Sequence, residues 1–288
     1  MQFLEPQPNS ISKIFLTSIK LYIYSIPKLL GLVLILALLG IAMQLLVNPH
    51  WPAIAETEAF EFNKNLLYIP LLYILYLIIY TPIIYIIKNT ENQRKHIFIE
   101  SLAVGFKKLP TILLLITWCT ILISLVYLLW LPTCLLISAV LNFSLVSHTT
   151  SIDGMFQNAD ILEQTNQFFI IAIMVPSLFF GLLWSMSFNF IMLDSLGSYA
   201  ALKASQSLVW AFYWRTFFIL FLPIIAWTIT TRFVFAEASH SIYMQLAHIT
   251  VNAFMTPYFV VLTYVQFHDL KLRKLKNPSK SANPEQNQ

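Results

Sequence analysis

Apolar residues in this chain come in runs of span length, separated by short polar stretches. The runs do not alternate at period two, so they read as helices rather than barrel strands. Only those two structures satisfy the backbone in lipid. Six spans are predicted, at about 28–48, 66–88, 110–130, 167–193, 214–235 and 244–267. Apolar character persists beyond Pro132 to Val146. One straight helix from residue 110 to 146 would exceed ~50 Å at the helical rise per residue. Residues 131–146 are therefore expected to be a kinked extension or a half-inserted element. The fold class expected is an all-α membrane protein, a single polytopic domain, with residues 268–288 as a basic, then polar, tail.

A degenerate unit recurs along the pattern. Ser18, Ser101 and Ser205 are each followed nine residues later by Pro27, Pro110 and Trp214, and then by an apolar run. Each unit reads as an amphipathic interfacial helix leading into a span. Proline sets its own φ and disfavours helix at the residue before it, so Pro27 and Pro110 are expected to separate surface helix from span. In the third unit Trp214 and Arg215 stand there instead, an aromatic–cation pair suited to headgroups. The copies are 83 and 104 residues apart, too irregular for a solenoid.

Composition agrees. Hydrophobic residues make up 58% of the chain and charged residues 10%, well below the quarter or so of a soluble domain. The net charge of +4 calls for no nucleic-acid partner, because the cations lie beside spans. With six crossings, one side collects 15 of the 17 Lys and Arg residues; the other holds only Lys64 and Arg232. This bias places both termini and the three amphipathic helices in the cytoplasm. An A-x-A at residues 53–55 lies well past the first apolar run, so that run is expected to be an anchor rather than a cleaved signal. Cys119 and Cys134 both sit in apolar stretches and form no disulfide framework.

Candidate chemistry is sparse. No histidine stands in an H-x-x-x-H or H-E-x-x-H pattern, and no P-loop, G-x-S-x-G or G-x-G-x-x-G occurs. No catalytic set, cofactor or metal is expected. His248 and Asn252 share a face of the last span as an intramembrane polar pair. Interhelical hydrogen bonding is the simpler reading; a polar pocket with Asn189, Asn142 or Gln44 is the sharper one. Asp194 reads as an N-cap or dipole partner of the helix that follows it. Pro176, Pro223 and Pro257 lie within spans and admit broken-helix ligand sites. Lys107, Lys108, Lys203 and Arg215 are the expected contacts to anionic headgroups or to a partner.

The stretch PSLFFGLLWSMSFNFIMLDSLGSYAALKASQSLVWAFYWRTFFILFLP resembles the central region of the YciC-like inner-membrane proteins. It is similar also to the membrane domain attached to some glycerophosphodiester phosphodiesterases. The carrying residues are Pro176, Asp194, Gly197, Ala201, Leu202, Ser205 and Trp214, with ESLAVGFKKLPTILLL upstream and FHDLKLRK near the C-terminus. Residues 131–166 look like an insertion relative to that pattern, and no His is followed by Arg, so phosphodiesterase chemistry does not carry over. The resemblance implies a bacterial inner-membrane location and a fold rather than an activity. The expected function is non-enzymatic, in membrane or envelope homeostasis, with membrane lipids or a membrane protein as partner. The alternative is a small-molecule or lipid transporter working through the Pro-broken spans, and a membrane enzyme is a distant third.

Overall fold

A computed structural model describes residue 4 and residues 7–47, 79–94, 98–146, 175–235 and 242–276. Among them the chain is helical apart from short turns, with no strand. Helix α1 is Ile11–Val47, α2 covers residues 79–91, α3 is Phe98–Val146, and α4 covers residues 175–184. Then come α5 (Ser187–Leu193), α6 (Ser198–Trp210) and α7 (Tyr213–Thr216). A π-helical turn over Phe217–Phe221 leads into α8 (Leu222–Phe235), and α9 is Ile242–Lys276. Among the described residues, five stretches are long and apolar enough to cross a membrane: Ile11–Ala42, Phe98–Trp130, Val175–Leu193, Tyr213–Thr231 and Tyr243–Lys276. This is an all-α membrane protein. The predicted span 66–88 is described only from residue 79, and the loops at 48–65 and 147–166 lie outside the described residues.

The helices pack tightly at one end. There α9 is buried on every side from Val260 to Phe267, a stretch apolar but for Thr263 and Gln266. Helix α1 runs along α9, α5 lies on α6, and α3 touches both. Ile14, Leu21, Ile83, Ile87, Leu183, Leu202, Val261 and Leu270 belong to this core. Toward the other end the same helices present large apolar side chains outward, such as Leu34, Leu128, Leu129 and Phe233. In water such stripes would be an aggregation liability; against lipid they are the expected surface. Hydroxyls on these helices are satisfied by their own backbone: Thr117 donates to Leu113, Thr228 to Ile224 and Thr250 to Leu246.

Pro27 and Pro110 do not separate surface helix from span. Both lie inside continuous helices, α1 of 37 residues and α3 of 49 residues. Pro132 is likewise inside α3, so residues 131–146 continue that helix. A proline deletes one N–H, and in long helices the neighbouring turns carry the interruption. Pro223 shows the local remedy: the carbonyl four residues before it is Ile219, inside the π turn that immediately precedes α8. The basic stretch after residue 267 does not begin a tail. It continues α9 to Lys276, with Leu270 fully buried.

The repeated unit has a structural counterpart. Ser18, Ser101 and Ser205 are each fully buried, and so are Leu29, Ile112 and Thr216, eleven residues on. Pro27, Pro110 and Trp214 are exposed in all three units. Eleven residues is three helical turns, so in the two continuous helices the buried pair marks one face and the ninth position the opposite one.

Candidate functional site

The third unit is where the pattern breaks. Helix α6 ends on a tight turn in which the Phe212 N–H bonds the Val209 carbonyl at 3.0 Å. Phe212 then leaves helical geometry, at φ −135° and ψ 34°, before α7 begins. No Gly or Pro stands at this break. It opens a groove of about 480 Å³ lined by Phe179 and by residues 210–215, Ala211 among them. Phe179 stands 5.4 Å from the Tyr213 ring and 6.0 Å edge-on from Trp210, the spacing of interacting aromatic pairs. Trp210 and Trp214 are 62% and 69% exposed, as rim residues must be if the groove is open.

Behind the groove the break turns Arg215 inward to a buried carboxylate on α9. Arg215 Nε donates to Asp269 Oδ2 at 3.2 Å, and Arg273, one turn further along α9, donates to the same oxygen at 2.8 Å. The Asn9 N–H donates to Asp269 Oδ1 at 2.6 Å. The Asn9 carbonyl accepts from a terminal nitrogen of each arginine. The Asp269 side chain is 1% exposed; Arg215 and Arg273 retain 17% and 26%. One carboxylate thus holds two guanidinium groups, and the node keeps one positive charge in excess. It ties the segment before α1 to α7 and α9.

Other expected contacts are distributed around the packed end. Lys107 and Lys203 are exposed, on α3 and α6. Lys108 Nζ donates to Ser195 Oγ at 3.4 Å. Asp194 does not cap the helix after it: Gly197 is the N-cap of α6, and Asp194 closes α5. Its carboxylate instead pairs with Lys271 of α9 at 2.8 Å. Three non-helical residues, 195–197, separate Asp194 from the start of α6. The three repeat serines bond differently. Ser18 and Ser101 donate to carbonyls of their own helices, Ile14 and Phe98. Ser205 reaches across: it donates to the Leu183 carbonyl at 2.7 Å and accepts from the Met186 N–H at 3.2 Å. It thereby serves both sides of the break between α4 and α5.

His248 and Asn252 do meet, with Asn252 Nδ2 at 2.9 Å from His248 Nε2. Their third member is Trp227 of α8, whose indole N–H donates to Asn252 Oδ1 at 3.0 Å. That bond fixes which way the amide points, so Nδ2 is the donor and Nε2 the acceptor. The arrangement is an interhelical hydrogen-bond chain between α8 and α9. Asn189 belongs elsewhere, buried on α5 with its amide at 3.8 Å from Met186 Sδ. The side chains of Gln44 and Asn142 lie outside the described residues. No three His, Cys, Asp or Glu side chains come together among the described residues so as to hold a metal ion.

Sequence reasoning missed Asp269, Arg273 and Asn9. The Asp269–Arg273 spacing of i, i+4 is visible in FHDLKLRK, but the Arg215 partner is 54 residues away, and backbone atoms of Asn9 carry no side-chain signature. No family model matches the chain, and no curated protein or solved structure matches it significantly.

Proposed function

We propose that this chain is a non-enzymatic, multi-pass protein of a bacterial inner membrane, with both termini in the cytoplasm. Its packed end sits at the cytoplasmic leaflet and contacts anionic headgroups or a partner protein there, in the service of membrane or envelope homeostasis. One observation carries this reading: Lys107 and Lys203 are exposed on α3 and α6, and Trp210 and Trp214 are exposed where α6 ends. Exposed basic and indole side chains together are the composition of a headgroup belt. The distribution of Lys and Arg along the chain and the resemblance to YciC-like proteins support the same location.

The test is lipid retention. The protein is extracted from mixed phosphatidylglycerol and phosphatidylcholine bilayers, and co-purifying lipid is counted by native mass spectrometry. Wild type should retain phosphatidylglycerol in preference. The triple variant Lys107→Gln, Lys108→Gln, Lys203→Gln should retain fewer phosphatidylglycerol molecules than wild type. If its retained lipid and its co-purifying proteins equal those of wild type, the reading fails.

A further inference from the structure

We infer that the groove at the α6–α7 break is a site for one anionic phospholipid, its acyl chain among the aromatic rings and its phosphate on the Arg215–Arg273–Asp269 node. The inference rests on the proposed cytoplasmic-leaflet placement and names a ligand class and a site within it. Three observations converge. The groove's volume, about 480 Å³, is that of a small-molecule site. Its walls are five aromatic side chains, and its one charged lining residue is Arg215. Arg215 is held by a node whose two guanidinium groups face a single carboxylate. Apolar walls closed by net positive charge match an amphiphile whose polar end is an anion.

The break matters to this assignment. In the first two units surface segment and span are one helix, with an exposed Pro at the ninth position. In the third the helix is interrupted, and the interruption both opens the groove and points Arg215 at the node. Arg215 uses Nε and one terminal nitrogen for Asp269 and Asn9. Its second terminal nitrogen has no bond to Asp269 or Asn9 and is the donor through which a phosphate at this lining residue would be held.

The probe is phosphatidylglycerol brominated on its acyl chains, titrated into the protein in non-ionic detergent while indole fluorescence is followed. Saturable quenching is expected with brominated phosphatidylglycerol and much less with brominated phosphatidylcholine. Trp210→Phe with Trp214→Phe should remove the saturable part. Ala211→Phe, which fills the groove and leaves the node in place, should weaken it about tenfold. Arg273→Gln removes the excess charge and leaves the groove, so the preference for phosphatidylglycerol should fall roughly fivefold while chain binding persists. Glycerol phosphate, a headgroup without chains, should not relieve the quenching at matched concentration; relief would mean an anion site rather than a lipid site. Equal quenching by both lipids in wild type overturns the inference, as does full selectivity in a folded Ala211→Phe protein. The lysine triple variant keeps the saturable quenching if the groove is the site. If Ala211→Phe behaves as wild type while the triple variant loses phosphatidylglycerol, the groove fails and the headgroup reading stands.

Discussion

Arg215 and Asp269 are 54 residues apart in the chain, and their side chains meet at 3.2 Å inside the packed end of the bundle. Removing one partner of such a pair leaves the other charged in a desolvated place. Asp269→Asn should therefore lower stability by about 3 kcal/mol, near the low end for a buried pair because both arginines keep some exposure. Thermal unfolding in detergent reads the loss. Adding Arg215→Gln to Asp269→Asn should cost less than the sum of the two single changes, since it removes one stranded charge.

Gly105 marks a close crossing of α3 over α2. A Cβ there would stand 2.9 Å from two ring atoms of Pro82 and 3.0 Å from Thr81 Oγ1. A proline ring cannot swing aside, so Gly105→Ala should cost about 1–3 kcal/mol as overpacking. Gly181→Ala is the control. Nothing lies within 4 Å of its Cβ, and in a helix the change should be neutral or stabilise by up to about 1 kcal/mol. Equal melting shifts for the two variants would refute the crossing.

Ser205 and Ser18 test the repeat. Both are fully buried, but only Ser205 bonds another helix. Ser205→Ala strands the Leu183 carbonyl and the Met186 N–H and should cost about 1–3 kcal/mol. Hydrogen exchange at the Met186 amide should quicken with it. Ser18→Ala leaves only a carbonyl that is already helix-bonded, and its melting temperature should stay within a degree or so of wild type, as expected for a change of a few tenths of a kcal/mol.

Trp227, Asn252 and His248 form one chain between α8 and α9. If it serves packing alone, Trp227→Phe should cost on the order of 0.6 kcal/mol, the measured mean for such bonds in membranes. Flux of a solute through proteoliposomes that vanished in His248→Ala would assign the chain to transport instead.

Topology is open to direct labelling. In a protein whose Cys119 and Cys134 are replaced, Lys203→Cys should react with an impermeant maleimide only from the cytoplasmic side. Asp160→Cys should react only from the outside. Labelling of Asp160→Cys from the cytoplasm would reverse the proposed orientation or change the number of crossings.

The lesson of the prolines is specific. Pro27 and Pro110 carry a sound local signal against helix, yet α1 and α3 run straight through them. The third unit has no proline at that position, and there the helix is broken. Local propensity was outweighed in both directions, because in a membrane bundle the backbone answers to neighbouring helices as much as to its own residues. His248 and Asn252 were legible because their i, i+4 spacing is fixed within one helix. Trp227 was not, because nothing in the chain says which turn of α8 faces them.

By itself the sequence determined that the protein is helical and membrane-embedded, how its apolar runs are spaced, and that Ser18, Ser101 and Ser205 precede apolar runs at a common spacing. Those follow from hydropathy and helical period, which are properties of contiguous residues. Only the tertiary structure decided that Asp269 would be buried at 1% exposure and hold Arg215, Arg273 and the backbone of Asn9. It also decided that the helix would open at Phe212 into an aromatic groove. A buried carboxylate is tolerable only where its partners converge from distant turns of chain, and that convergence is a matter of packing, which no local pattern encodes.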